Sequence, residues 1–172
     1  MDPLRLVGTW DFRREVGDHR DGAEYTARGR AELAPEDDGR IRWAEHGTLT
    51  WSAGSTPVSR TLFLVRELPD ADPAAGVGLT TVGPETSPGP WRVTFEDGRD
   101  FHPWTVGAVE HLCGRDIYEG GVEIPEEPAP PPDLSSNVSP PPPSDLSWEL
   151  RWRVTGPEKD YTMRTTYSRR PR

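Results

Sequence analysis

Trp148 to Arg169 reads WELRWRVTGPEKDYTMRTTYSR, two alternating runs separated by Gly156-Pro157-Glu158-Lys159. That punctuation is a hairpin signal. In the first run Trp148, Leu150, Trp152 and Val154 share one face of a strand, and Glu149, Arg151 and Arg153 share the other. In the second, Tyr161, Met163, Thr165 and Tyr167 alternate with Asp160, Thr162, Arg164 and Thr166. Closing the turn sets Val154 opposite Tyr161 and Trp152 opposite Met163, so the apolar faces coincide. Arg151 then falls opposite Arg164. Like charges directly opposed destabilise a sheet, so Glu149, diagonal to Arg164, or some anion is expected to neutralise them.

The rest of the chain repeats this strand-and-turn grammar. Leu4 to Val16 places Leu4, Leu6, Gly8, Trp10 and Phe12 on one face. Ala23 to Leu33 is a weakly patterned second strand. Arg40 to Trp51 is a third, with Trp43, Leu49 and Trp51 on one side and His46 on the other. Val58 to Arg66 contains the continuous apolar run Leu62-Phe63-Leu64-Val65, expected to be covered on both faces. Trp91 to Glu96 and Arg99 to Trp104 flank Asp97-Gly98 as a second hairpin. A two-residue turn there puts His102 on the face of Trp91 and Val93; a three-residue loop with a bulge at the glycine puts Phe101 there instead. Val109 to Gly120 reads as one further strand, bulged at Gly114.

Two stretches break the pattern. Leu68 to Pro90 reads as a long surface loop. Glu123 to Ser147 is low-complexity, polyproline-type sequence that cannot bury a core, so residues 1–172 are expected to form one domain interrupted at 123–147. With 20 prolines and 17 glycines in 172 residues, and no sustained helical period, strands are favoured throughout. About eight to ten antiparallel strands with close turns make a sandwich or a barrel. Because the first and last strands are among the best patterned, and neither should remain an open edge, the expected fold is a single closed, antiparallel, all-β barrel.

Charge and cysteine content narrow the partners. A formal charge of −9 argues against nucleic acid and against an anionic membrane surface. No apolar run is long enough to span a bilayer, and MDPLRLVGTW lacks a secretion signal's apolar segment. One cysteine, Cys113, precludes an internal disulfide and fits a reducing compartment, so a cytoplasmic location is expected.

Gly8-Thr9-Trp10 in the first strand and an arginine-bearing last strand, with Arg164, Arg169 and Arg170 available to cover that tryptophan, resemble the lipocalin-like (calycin) barrels. Joined to Phe95-Glu96-Asp97-Gly98-Arg99-Asp100-Phe101-His102, His111-Leu112-Cys113 with Asp116 and Tyr118, and Arg151-Trp152-Arg153-Val154 before Gly156-Pro157-Glu158-Lys159-Asp160-Tyr161, the sequence looks like a family of small lipocalin-like proteins known only as a domain of unknown function. The resemblance implies a barrel with an interior cavity and brings no established activity.

Function must then be argued from side chains. Seven tryptophans against four phenylalanines suit a cavity wall that holds a partly polar organic ligand, and equally suit a core poor in Leu and Ile. The expected ligand-binding set is Trp10, Trp43, Trp91, Arg99, Trp104, Cys113, Arg151, Trp152 and Arg153, for a small aromatic or anionic molecule; Arg92 adds a further candidate donor. The alternative is cofactor-independent acid–base catalysis, with His102 as the acid–base group, His111 or Tyr118 donating to an oxyanion and Asp116 orienting a histidine. A hydrogen-bonded structural cluster is the third way to read those four residues. His102, His111, Cys113 and Asp116 are metal-ligand types without diagnostic spacing, so no metal and no cofactor is expected. The polyproline stretch could serve an interaction scaffold, although it lacks flanking basic residues.

Overall fold

The computed structural model describes residues 2–67, 90–105, 107–124 and 147–169. The stretches read as loops, Leu68 to Pro90 and Glu123 to Ser147, therefore fall almost wholly outside the described residues. Within these, a short 3-10 turn (Pro3–Leu6) precedes ten strands: β1 (Gly8–Asp18), β2 (Glu24–Pro35), β3 (Ile41–Trp51), β4 (Gly54–Arg66), β5 (Trp91–Phe95), β6 (Asp100–Trp104), β7 (Val109–Cys113), β8 (Asp116–Glu123), β9 (Ser147–Thr155) and β10 (Asp160–Arg169). No described helix is long and apolar enough to cross a membrane.

All ten strands form one antiparallel sheet in the order β6-β5-β4-β3-β2-β1-β10-β9-β8-β7. The first and last strands pair, with Phe12 opposite Tyr167 and Arg14 opposite Thr165. The sheet curls until β6 and β7 lie side by side without a ladder between them, which leaves a nearly closed barrel with one seam. Both seam strands are only five residues long, and Pro103 on β6 has no N–H to offer a foreign strand, devices that blunt an unpaired edge.

Alternation decides the interior. Trp148, Leu150, Trp152 and Val154 of β9 are buried, and their partners Tyr167, Thr165, Met163 and Tyr161 on β10 point the same way. On the outer face Glu149 bonds to Arg151 and Arg164, the latter at 2.7 Å, and so neutralises the opposed arginines. One end of the barrel is sealed by aromatic packing. Trp148 stacks on Tyr167 with centroids 3.8 Å apart, and Trp43 lies 5.4 Å from Trp148. Each such pair contributes about 0.5–1.5 kcal/mol beyond area burial. The 3-10 turn caps this end: the Trp10 indole N–H donates to the Leu6 carbonyl at 2.8 Å, and the Arg169 guanidinium sits over the Trp10 ring at 5.0 Å.

Four local expectations are corrected. Pro3–Leu6 is a 3-10 turn and not the start of β1, because Asp2 caps it by accepting the Leu4 N–H. β4 begins at Gly54, earlier than the apolar pattern suggested, since its first residues pair with β3 while remaining exposed. The run Leu62 to Val65 is fully buried only at Leu62 and Leu64; Phe63 faces outward beneath Arg40 at 4.3 Å. Val109 to Gly120 is two strands, not one bulged strand: Gly114, at φ +66°, turns the chain so that β8 folds back on β7.

Candidate ligand-binding site

Burial along the inward-facing rows changes from one end of the barrel to the other. At the sealed end Trp10, Leu33, Ile41, Trp43, Leu64 and Tyr167 are at most 1% exposed. At the other end the inward rows finish in half-buried Val16, Tyr25, Leu49, Val58, Phe95, His111, Tyr118, Tyr161 and Met163. The inward rows are thus closely packed at one end and partly exposed at the other, here called the mouth, and the deepest inward charges beneath it form its floor.

That floor is polar. Arg14 and Glu45 occupy inward positions of β1 and β3, and Arg60 lies opposite Glu45 on β4. The Glu45 carboxylate, 2% exposed, accepts from Arg14 through Oε2 and from Arg60 through Oε1, both at 2.7 Å. The Tyr167 hydroxyl donates to the same Oε1 at 2.5 Å, and Arg14 Nε donates to Thr165 Oγ1 at 2.8 Å. Burial alone would raise the Glu45 pKa; the charges of Arg60 and Arg14 and the Tyr167 hydroxyl outweigh it and hold the group below its ordinary value. Burial and the neighbouring carboxylate push the Tyr167 phenol far up, so it stays neutral. Arg60 also lies over the Trp43 ring at 5.2 Å, a cation–π contact.

Beside the floor stands His102. The hairpin at Asp97-Gly98 resolves both sequence alternatives at once. Gly98, at φ +83°, closes a loop in which the Phe95 N–H bonds to the Arg99 carbonyl, and a second irregularity shifts the register so that Val93 faces His102 while Thr94 faces Asp100. Phe101 becomes the extra residue, and both Phe101 and His102 point inward, 7% and 3% exposed. His102 Nδ1 lies 2.8 Å from the Pro103 carbonyl, which only a protonated Nδ1 can satisfy, so Nε2 carries the lone pair. Nε2 is buried with no partner among the described residues. Burial, with His111 and Arg60 nearby, lowers the His102 pKa to about 4.

The fold-back at Gly114 brings the remaining predicted polar residues together, setting His111 opposite Tyr118 and Cys113 opposite Asp116. Phe101 joins His102, His111 and Tyr118, its ring centroid 4.8, 6.0 and 5.8 Å from theirs. Asp116, however, orients no histidine. Its carboxylate pairs with Lys159 at 2.7 Å, and Lys159 donates to the Tyr118 hydroxyl at 3.2 Å. Those bonds raise the Lys159 pKa and keep it cationic, while burial and the bond to Tyr118 raise that of Tyr161. Cys113 is a free, half-buried thiol at the end of β7. No group of three or more His, Cys, Asp or Glu side chains among the described residues is arranged to hold a metal ion.

Of the expected ligand-binding residues, Trp10, Trp43, Trp91, Trp104 and Trp152 all point inward and are buried, but only Trp152 adjoins the mouth residues, 4.9 Å from His102 and 6.1 Å from Tyr118. The expected arginines lie on the outer wall and are corrected. Arg99 is exposed in the hairpin loop against Asp97, Arg151 pairs with Glu149 and Glu123, Arg153 pairs with Asp160, and Arg92 pairs with Asp100. The β9 alternation that turns Trp152 inward necessarily turns Arg151 and Arg153 outward. With Arg13 and Arg164 these two line a groove of about 720 Å³ that also takes in the inward-row residues Val16, Tyr25, Trp152 and Met163. Its arginines are already matched by Glu15, Glu149 and Asp160, so the groove offers no convergent donors. The inward-facing charges that the sequence pattern did not single out are Arg14, Glu45 and Arg60. Their signal was parity: Arg14 continues the row of Trp10 and Phe12, and Glu45 lies between Trp43 and Leu49.

Among known proteins, a family of unknown function, DUF6314, matches residues 6–72 and 82–169. No curated protein matches the chain. Among solved structures it is similar to a de novo designed fluorescence-activating β-barrel, at 19% identity over 99% of both chains with a TM-score of 0.40.

Proposed function

The chain belongs to the DUF6314 family of unknown function, and we propose that it is a binding protein that receives a small, partly aromatic or anionic organic molecule through the open mouth of its barrel. The observation that carries this reading is the asymmetry of the interior. One end is packed to near-zero exposure, whereas the other leaves ring faces and guanidinium groups within reach of solvent. A packed core has no use for inward-facing charges that water still touches, since burying them costs more than an apolar filling. A ligand site does: apolar walls with a few convergent polar groups are its usual make-up. Native mass spectrometry of freshly purified protein, followed by a metabolite screen read by tryptophan emission, tests the reading. Trp152 lies beside the mouth and should respond. Finding no co-purified molecule and no emission change across the screen would remove its support.

Acid–base catalysis is the second reading, favoured by the convergence of His102, His111 and Tyr118 on Phe101. It is the lesser one. A general acid–base group works best with a pKa near the operating pH, and His102, lowered to about 4, is neutral and weakly basic. A His102→Ala variant that binds its ligand normally yet turns it over far more slowly would reverse this ranking.

A further inference from the structure

We infer that the molecule received at the mouth is a small organic monoanion, a carboxylate on a ring-bearing body, whose charge is met by Arg60 and Arg14 and whose own hydrogen-bond donor is met by His102 Nε2. This inference rests on the binding reading above and adds its chemistry.

Charge counting is the first support. The floor holds two guanidinium groups and one carboxylate, with Tyr167 neutral, so it retains one uncompensated positive charge. Glu45 cannot supply more, because both its oxygens are engaged. The other acids on the inward rows stand at the rim: Asp116 is paired with Lys159, and Asp18 accepts from the Arg20 backbone N–H. An isolated charge in a partly desolvated site is unfavourable and is relieved by a counter-ion.

Open hydrogen-bonding capacity is the second. Among the described residues Arg60 Nε is buried without an acceptor, while a quarter of the Arg60 side chain is exposed. A carboxylate is the natural partner of a guanidinium edge. His102 Nε2 supplies the opposite need, a fixed lone pair without a donor. Arg60 and His102 both stand on inward rows of the barrel, and the Arg60 charge acts on the imidazole. Phe101 and Trp152, each with its ring centre within 5 Å of His102, provide apolar faces for the ligand body. A hydroxylated ring acid satisfies all three features; a cation or a neutral hydrocarbon satisfies one at most.

The test is calorimetric titration of the full chain with three acids, phenylacetate, 4-hydroxyphenylacetate and cyclohexanecarboxylate, each beside its methyl ester. The acids should bind at least about tenfold more tightly than their esters, and 4-hydroxyphenylacetate more tightly than phenylacetate. Arg60→Gln should lower acid affinity by about ten- to a hundredfold and ester affinity by much less, so that the acid-over-ester preference collapses, while Arg60→Lys should retain part of the preference. Esters binding as well as acids to the unaltered protein, a comparison that needs no variant to fold, would overturn the inference and leave the binding reading standing. An acid preference that persists in Arg60→Gln would overturn the assignment of the charge to this floor. Silence from both series would overturn the binding reading and this inference together.

Discussion

Glu45→Gln is the sharpest perturbation of this barrel. The substitution keeps the size of the side chain and removes its charge, leaving Arg14 and Arg60 facing each other through an amide. In the native protein both guanidiniums lie 2.7 Å from the carboxylate, which is itself 2% exposed. Removing one partner from such a buried arrangement costs about 3–5 kcal/mol, a large share of the roughly 5–15 kcal/mol that holds a domain together. For a chain of this size the melting temperature should fall by about 6–20 °C. Acid should reveal the same group. The Glu45 pKa is depressed in the folded state, so its contribution is complete above its unfolded value of about 4.3 and is lost as pH falls from there through the folded value. Urea unfolding at pH 7 and at pH 3 should therefore show a stability gap between native protein and Glu45→Gln that narrows in acid. Tyr167→Phe should couple to Glu45→Gln in a double-mutant cycle, since the phenol donates to the lost oxygen. A loss below about 1 kcal/mol at pH 7, or a gap that does not change with pH, would show that the carboxylate does not hold the two arginines together.

Three further outcomes follow from other parts of the barrel. His102 is buried neutral with its pKa lowered from 6.5 to about 4, so its contribution, at most about 3 kcal/mol, is present above pH 6.5 and lost between there and pH 4; His102→Leu should flatten the stability profile across that window, and an unchanged slope would show that another group titrates. Gly47→Ala should destabilise the β2–β3 pair, because a Cβ there would meet the Arg28 carbonyl oxygen at 2.4 Å; an unaltered melting temperature would mean that the strands can separate at little cost. Replacing residues 125–146 with a short Gly/Ser linker should preserve cooperative thermal unfolding, since Glu123 pairs directly with Glu149 and the ends to be joined belong to neighbouring strands; loss of cooperativity would show that the segment packs into the domain.

Strand identity and the interior tryptophans were legible because they depend on period two alone. Trp148, Leu150, Trp152 and Val154 had to share a face, and once β10 paired with them the sealed end was determined. The seam between β6 and β7 was less legible. It depends on Gly114 taking a left-handed turn where a bulge also fitted, and on a second register shift opposite Val93 that no local pattern announces. That shift turned an either-or choice between Phe101 and His102 into both. For the arginines residue type carries no direction, whereas parity alone turns Arg151 and Arg153 outside. Arg14 and Glu45 broke the apolar alternation from within. A charged residue in an inward row is the more informative signal, because it persists only where a partner on another strand meets it.

The partner relation also separates the polar residues of this barrel into those that satisfy one another and those left open. Asp116, Lys159, Tyr118 and Tyr161 satisfy one another at the rim, and a closed circuit of donors and acceptors stabilises the strand ends but leaves little to offer a visitor. Other buried polar atoms have no partner among the described residues, including His111 Nε2 at the rim, Arg60 Nε and His102 Nε2. Catalysis through His102 would need that nitrogen to take and return a proton near neutrality, which a pKa of about 4 opposes. Recognition needs only that the lone pair remain fixed, and the Pro103 carbonyl fixes it through the other ring nitrogen. The feature that makes His102 a poor acid–base catalyst thus makes it a dependable hydrogen-bond acceptor, and the same chemistry that weakens the enzymatic reading strengthens the binding one.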